Sequence, residues 1–297
     1  GRYCSRRLAR RCGGSMQFRM TRSIDEALDE LTQWGDDGCL VAGGTDVVLQ
    51  YRNREISPAA LIHIERIEEL RSVAVNGTTM IGALTTHHQL VTDPEVAERH
   101  PALVRAAGIV GGWQTQAVGT LGGNICNASP AADTVPPLLV ADAKLTLAST
   151  AGTRVVTVAD FLTGRRSTSR RSDELLTSID VDPLPAGSAE TYLKVGRRSS
   201  MDVAVVGLAL RLGLTDGMVT SARIATCSVA PTPRRVTAPE EILVGSRLEA
   251  EVITAAGHAL AEASSPMDDA RGSASYRRRV LPGLLSRAID QCTEAAK

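Results

Sequence analysis

Two glycine pairs constrain this chain more than any other feature: Ala42-Gly43-Gly44-Thr45-Asp46 and Thr120-Leu121-Gly122-Gly123-Asn124. Each is expected between a strand and polar, turn-forming residues. Glycine takes φ > 0 and lets main-chain N–H groups approach an anion with no Cβ in the way. Two such turns, about eighty residues apart, suit one long anionic ligand held by backbone from two places. The diphosphate of a dinucleotide needs that kind of cradle. Two ordinary tight turns would leave the same mark, and the residues alone leave both readings open.

The 297 residues suffice for two or three domains with real cores. Formal net charge is zero, so no chain-wide field draws nucleic acid or anionic lipid, and aromatics at 3% argue against base stacking. No apolar run reaches the ~18–20 residues of a membrane span. A soluble, cytoplasmic protein with no nucleic-acid partner is expected. Six cysteines are scattered from Cys4 to Cys292 with no CxxC or ferredoxin-like spacing, so no metal site is assigned and the thiols are read as unpaired in a reducing cytosol. Residues 1–15 carry five arginines and no acid. They are read as a disordered or non-native leader; Ser5-Arg6-Arg7 is not followed by the apolar run a twin-arginine signal needs.

Along the chain, Ser23 and Glu26 form a capping box for a helix that stops at Gly35, with Ile24, Ala27, Leu28, Leu31 and Trp34 on one face. Cys39 to Ala42 reads as a strand ending in the first glycine pair, Val47 to Tyr51 as a helix and Leu61 to Ile64 as a second strand, a small β–α–β unit. Asn76-Gly77 and Ala151-Gly152 turn two hairpins, Val73–Val75 with Thr79–Ala83 and Lys144–Leu147 with Arg154–Val158. A helix starts at Thr85-Thr86-His87-His88, whose adjacent histidines cannot share a helix face to ligate a metal. Helices follow at Pro101–Val110 and after Pro136-Pro137. Four arginines within Arg165–Arg171 read as a solvated loop, with a partner surface as the alternative. Past a linker at Pro183–Ser188, a long hairpin about Asp216-Gly217 joins Val203–Leu214 to Met218–Val229. Thr237 and Glu240 cap a helix, and helices near Ile253–Ala263 and Tyr276–Ile289 complete an α+β tail.

The first glycine turn is neither a P-loop nor GxGxxG, and no nucleophile elbow or zincin motif is present. With no self-contained catalytic constellation, the chain reads as a holder that binds and orients a reactive cofactor.

In order along the chain stand Leu40-Val41-Ala42-Gly43-Gly44-Thr45-Asp46, Thr85-Thr86-His87, Gly119 through Asp133 (GTLGGNICNASPAAD), Tyr192-Leu193-Lys194-Val195-Gly196-Arg197-Arg198, Val229-Ala230-Pro231-Thr232-Pro233-Arg234-Arg235 and Tyr276-Arg277-Arg278-Arg279-Val280-Leu281. With these the chain, from about Met16 to its end, closely resembles the FAD-binding (medium) subunits of molybdenum hydroxylases. That family includes xanthine dehydrogenases, hydroxybenzoyl-CoA reductases and aerobic carbon monoxide dehydrogenases.

The resemblance implies an α+β protein. A two-subdomain FAD-binding domain of the p-cresol methylhydroxylase/vanillyl-alcohol oxidase kind (16–72 and 73–186) precedes a C-terminal domain (187–297) of three antiparallel strands and a helix bundle. It implies that Val41, Ala42, Gly43, Gly44, Thr45, Asp46 and Val47, with Thr120, Gly122, Gly123 and Asn124, hold the FAD pyrophosphate. Asp133 is then expected to hydrogen-bond the flavin side, Leu176 to pack near the ring, and Lys194 to tune the flavin electrostatically by stabilising negative charge on its reduced form. Partner chains are expected to carry the other centres: two [2Fe–2S] clusters in a small subunit and molybdopterin in a large one. The final acceptor is expected to be NAD, with quinone or oxygen as alternatives. Thr45-Asp46 and Cys126-Asn127-Ala128-Ser129-Pro130 favour the xanthine dehydrogenase-like or N-heterocycle-oxidising side of the family. Two further readings stand beside this one, a self-sufficient FAD-dependent oxidase with its own substrate pocket and a non-enzymatic nucleotide-binding module.

Overall fold

Ser23 accepts a hydrogen bond from the Glu26 amide and starts the helix Ile24–Trp34, which Gly35 ends at φ +51°. In this computed structural model, which describes residues 16–198 and 201–296, the Glu26 carboxylate closes the box on the Arg22 amide, one residue earlier than the sequence pattern predicts. Residues 1–15, expected as a leader, lie outside the described residues. Ala27, Leu28 and Leu31 of this helix share a core with Ile62 and Ile64. Strand Ala60–His63 is the middle of a parallel sheet between Gln17–Met20 and Gly38–Val41. The strand Gln17–Met20 was not expected. It has no buried face, with Phe18 and Met20 both exposed, so it lacks the alternation that marks a strand in sequence. Gly43-Gly44 follow the carboxyl end of Gly38–Val41, the end of a parallel strand where ligand crevices open.

The two predicted hairpins form, turning on Gly77 (φ +80°) and Gly152 (φ +128°). Strand Leu175–Val181 joins them into a five-stranded antiparallel sheet by pairing with Thr78–Gly82 on one side and Lys144–Ser149 on the other. Short helices pack on this sheet around Ile81, Leu90, Leu103, Leu121, Ile125, Leu138 and Phe161. The surroundings of the second glycine pair differ from expectation. Helix Trp113–Val118, not a strand, precedes it, and Gly122 and Gly123 occupy the first turn of the helix Leu121–Asn127. Thr120 caps that helix by accepting from the Gly123 amide. Helix-disfavouring glycines stand there because the backbone must touch its neighbour: a Cβ on Gly122 would lie 2.6 Å from the Ala83 carbonyl oxygen.

The tail is an antiparallel meander of Ser188–Val195, Val206–Thr215 and Met218–Cys227, with the two-residue strand Arg234–Arg235 added at its edge. Asp216 and Gly217, both at positive φ, form its predicted hairpin turn. Both faces of this sheet are covered. Tyr192, Ala209 and Ala225 join the core of the middle sheet, while Leu208, Leu210, Leu212 and Ile224 pack on the helices Thr237–Leu243, Ala250–Glu262 and Ala274–Ala295. Glu240 does not cap the first of these helices. It is buried, and its carboxylate accepts from the Ile224 amide and from Arg235.

Candidate functional site

A cavity of about 530 Å³ opens where the parallel sheet, the helix Leu121–Asn127 and the strand Leu175–Val181 meet. The two glycine segments are fastened to each other through the intervening chain. A Cβ on Gly43 would lie 1.8 Å from the Val118 carbonyl oxygen, so only glycine permits the first turn to rest on residues 118–119. Gly44 is the residue at positive φ, +69°. Across the same join Gln50 Nε2 donates to Asn127 Oδ1 at 3.0 Å.

The two segments differ in what their main-chain N–H groups meet. Among the described residues, the N–H groups of Gly44, Thr45 and Asp46 donate to no acceptor in the chain. The amides of Leu121, Gly122, Gly123 and Asn124 are instead engaged, with the carbonyls of Thr85 and Ala83 and with the hydroxyl and carbonyl of Thr120. Unsatisfied backbone donors beside a cavity are an anion site in waiting. The first turn offers hydrogen bonds; the second offers room.

Ala42, Gly43, Gly44, Thr45, Asp46, Val47, Thr120, Gly122, Gly123, Asn124, Asp133 and Leu176, all singled out in the sequence, line this one cavity. Val41 and Lys194 do not. The Val41 side chain is buried, and Lys194 stands behind Asp133, with Nζ 2.9 Å from Asp133 Oδ2 and 3.1 Å from the Ile109 carbonyl. The other carboxylate oxygen of Asp133 accepts from the Tyr192 hydroxyl at 2.7 Å. Burial pushes the Asp133 pKa up, against the opposing charge and hydrogen bond of Lys194 and the hydrogen bond from Tyr192. Asp46 is also raised by burial, opposed by the Arg166 charge and a hydrogen bond from Asn127.

Arg170, His87, Cys39 and Cys126, assigned no site role from the sequence, also line the cavity. The arginine-rich loop is not simply solvated. Arg154 and Arg171 both pair with the buried Glu174, Arg166 pairs with Glu55, and Arg170 donates to the Glu174 and Arg171 carbonyls from the cavity edge. The acid that gathers these arginines, Glu174, was the available signal. Among the described residues no group of His, Cys, Asp and Glu is placed to hold a metal ion, and no helix is long and apolar enough to cross a membrane.

Residues 14–184 match the family of the FAD binding domain in molybdopterin dehydrogenase, and residues 191–292 match the CO dehydrogenase flavoprotein C-terminal domain. The chain belongs to the FAD-binding subunits of the molybdenum hydroxylases. It is 33% identical over 263 residues to the xanthine dehydrogenase FAD-binding subunit of Escherichia coli O157:H7, covering 86% of this chain and 89% of that one. It is 31% identical to the nicotinate dehydrogenase FAD-subunit of Eubacterium barkeri, covering 91% and 94%. Among solved structures, carbon monoxide dehydrogenase from Hydrogenophaga pseudoflava, in a form lacking the Mo-pyranopterin moiety of its cofactor, superposes with a TM-score of 0.91 at 31% identity, covering 95% of this chain and 98% of that one. The residues present fit FAD. The unpaired amides at Gly44–Asp46 suit a diphosphate, a Cβ at Gly43 would break the join that shapes their turn, and Leu176 and Leu175 give the cavity an apolar wall.

Proposed function

We propose that this chain is the FAD-bearing electron-transfer subunit of a multi-subunit molybdenum hydroxylase. Electrons reach it from [2Fe–2S] clusters of a small partner subunit, which a molybdopterin-containing large subunit reduces, and leave to an external acceptor, NAD by preference. One observation carries the reading: the free amides of Gly44–Asp46 open into the same cavity as Asp133 and Leu176.

When bound, FAD supplies exchange between one- and two-electron carriers. The chain binds, orients and shields it. Residues 41–47 hold the diphosphate with the first-turn amides, and Thr120, Gly122, Gly123 and Asn124 give it space. Asp133, fixed by Tyr192 and Lys194, presents a polar group to the flavin side, and Leu176 excludes water from the ring. On this assignment residues 16–72 and 73–186 are the two FAD subdomains and residues 187–297 the third unit, in a cytoplasmic complex. Thr45-Asp46 and Cys126-Asn127 favour the xanthine dehydrogenase-like side.

The test is reconstitution of the purified chain with FAD. A stoichiometric yellow protein that organic substrates leave oxidised, and that is reduced once the cluster-bearing and molybdenum subunits are added, supports the proposal. Bleaching by substrate with no partner present, or a colourless protein that binds ADP but not FAD, overturns it.

A further inference from the structure

His87 lines the cavity with its Nδ1 buried and without a hydrogen-bond partner, and its Nε2 makes no hydrogen bond among the described residues. The residue is only 2% exposed. Its backbone is firmly placed. Thr86 and Gln89 form a reciprocal capping box, with Gln89 N donating to Thr86 Oγ1 at 3.1 Å and Thr86 N to Gln89 Oε1 at 2.8 Å. The His87 amide donates to the Gly119 carbonyl at 3.0 Å. The neighbouring His88 goes elsewhere and stacks on the exposed Trp113, ring centroids 4.9 Å apart. A neutral imidazole has one N–H to place. On the sealed, partnerless Nδ1 that hydrogen would be a buried donor left unsatisfied, at about 1–3 kcal/mol, whereas on Nε2 a ligand in the cavity can accept it.

The ring's position says which part of a ligand. A Cβ on Gly119 would lie 3.3 Å from His87 Cδ2 and 3.7 Å from Nε2. Gly119 adjoins Val118, the residue on which Gly43 rests. The imidazole therefore sits at the join of the two glycine segments, beside the turn whose amides are free. Nδ1 is sealed in the protein; Nε2 is the nitrogen left to face the cavity. The geometry assigns His87 as a side-chain donor from Nε2–H to an oxygen of the cofactor's diphosphate, an assignment that rests on the FAD reading above. Phosphate oxygens at neutral pH bring no proton, so the tautomer must carry its hydrogen on Nε2. In the ligand-free chain burial lowers the ring's pKa to about 4.

The test compares FAD, ADP and riboflavin binding to the full chain carrying His87→Leu, His87→Asn or His87→Gln. A glutamine amide nitrogen reaches the place of Nε2, whereas that of asparagine reaches the place of Nδ1. Leu and Asn are expected to weaken FAD and ADP by about tenfold or more and leave riboflavin unchanged, and Gln to restore binding to within about threefold. Circular dichroism melts of the ligand-free variants check the fold. Should any variant fail to fold, ¹⁵N-histidine NMR of the wild type decides: a protonated Nε2 that shifts on adding ADP supports the contact, and an unmoved resonance overturns it. ADP affinity unchanged in folded His87→Leu, or riboflavin weakened as much as ADP, also overturns it. If wild type binds FAD tightly while the variants match it, only the His87 assignment falls; if wild type binds neither FAD nor ADP, the cofactor reading falls with it.

Discussion

Asp133 and Lys194 stand sixty-one residues apart in sequence and 2.9 Å apart in space, joining the cavity wall to the first strand of the C-terminal sheet. Both side chains are about nine-tenths buried. The lysine charge is thus matched by a carboxylate and is not left free to act on a reduced flavin alone. Removing one member of such a pair strands the other, at a cost of about 3–5 kcal/mol. We expect Lys194→Met to let Asp133 take up a proton, so that the flavin potential moves little. Asp133→Asn should instead leave the ammonium behind the cavity wall without its carboxylate and raise that potential. Potentiometric titration reads the first effect. A double-mutant cycle by urea unfolding reads the coupling, and strict additivity would show that the two groups do not act together.

Gly43 and Gly44 should fail for different reasons when replaced. The sequence suggests that both glycine pairs serve positive φ, but Gly43 and Gly123 lie outside that region and Gly44 lies within it. Gly43→Ala drives a methyl into the Val118 carbonyl and should separate the two halves of the cradle, abolishing FAD retention. Gly44→Ala meets only the tip of Val48, at 3.1 Å, and should cost about 1–3 kcal/mol in stability through its backbone angle. Gly77→Ala, at φ +80° with nothing within 4 Å, is the control for backbone strain away from the cavity. Flavin content after gel filtration separates the three, and full flavin in Gly43→Ala would refute the steric argument.

Cys39 and Cys126 line the cavity, while Cys227 and Cys292 are sealed in the cores. Iodoacetamide should label Cys39 in the FAD-free chain faster than Cys126, whose thiol burial raises to about 11. Bound FAD should protect both. Peptide-resolved mass spectrometry measures this, and equal labelling with and without FAD would place the cofactor elsewhere.

What could be read in the sequence was whatever local chemistry dictates. The Ser23 cap, the Asn76-Gly77 and Asp216-Gly217 turns and the strand before Gly43 all follow from side chains within a few residues of one another. What could not be read depends on distant partners. Strand Gln17–Met20 exists because Ala60–His63 offers it an edge. Gly122 sits in a helix because Ala83 presses against its first turn, and Gly123 follows it where a Cβ would meet the capping Thr120 hydroxyl. Lys194 on its strand gave no hint that its ammonium would find Asp133 and the Ile109 carbonyl. The cavity-lining set was largely legible because glycine and short polar residues cluster in two segments. His87 was not, since a histidine's value there lies in the partners it lacks.

Acid should destabilise the FAD-free chain in two steps. His87 and His100 are both buried and both lowered to about 4, His87 by burial and His100 by burial together with the charges of Arg211 and Arg99, which Asp182 opposes. Between pH 6.5 and about 4 the unfolded chain therefore binds protons that the folded chain refuses, so stability falls as pH falls, by up to about 3 kcal/mol per histidine. Glu174 acts lower down. Burial would raise it, but hydrogen bonds from Arg154 and the Arg171 amide, with both guanidinium charges, bring it to about 2. Its contribution is present above the unfolded value near 4.5 and is lost as pH falls toward about 2. Asp133 and Glu190, raised by burial, act in the opposite sense, so differences between variants isolate each step. Relative to wild type, His100→Gln should flatten the urea midpoint between pH 6.5 and 4.5, and Glu174→Gln should flatten only the lower range. Parallel curves for wild type and His100→Gln would mean that His100 titrates normally in the folded chain, despite its 2.8 Å hydrogen bond to Thr79.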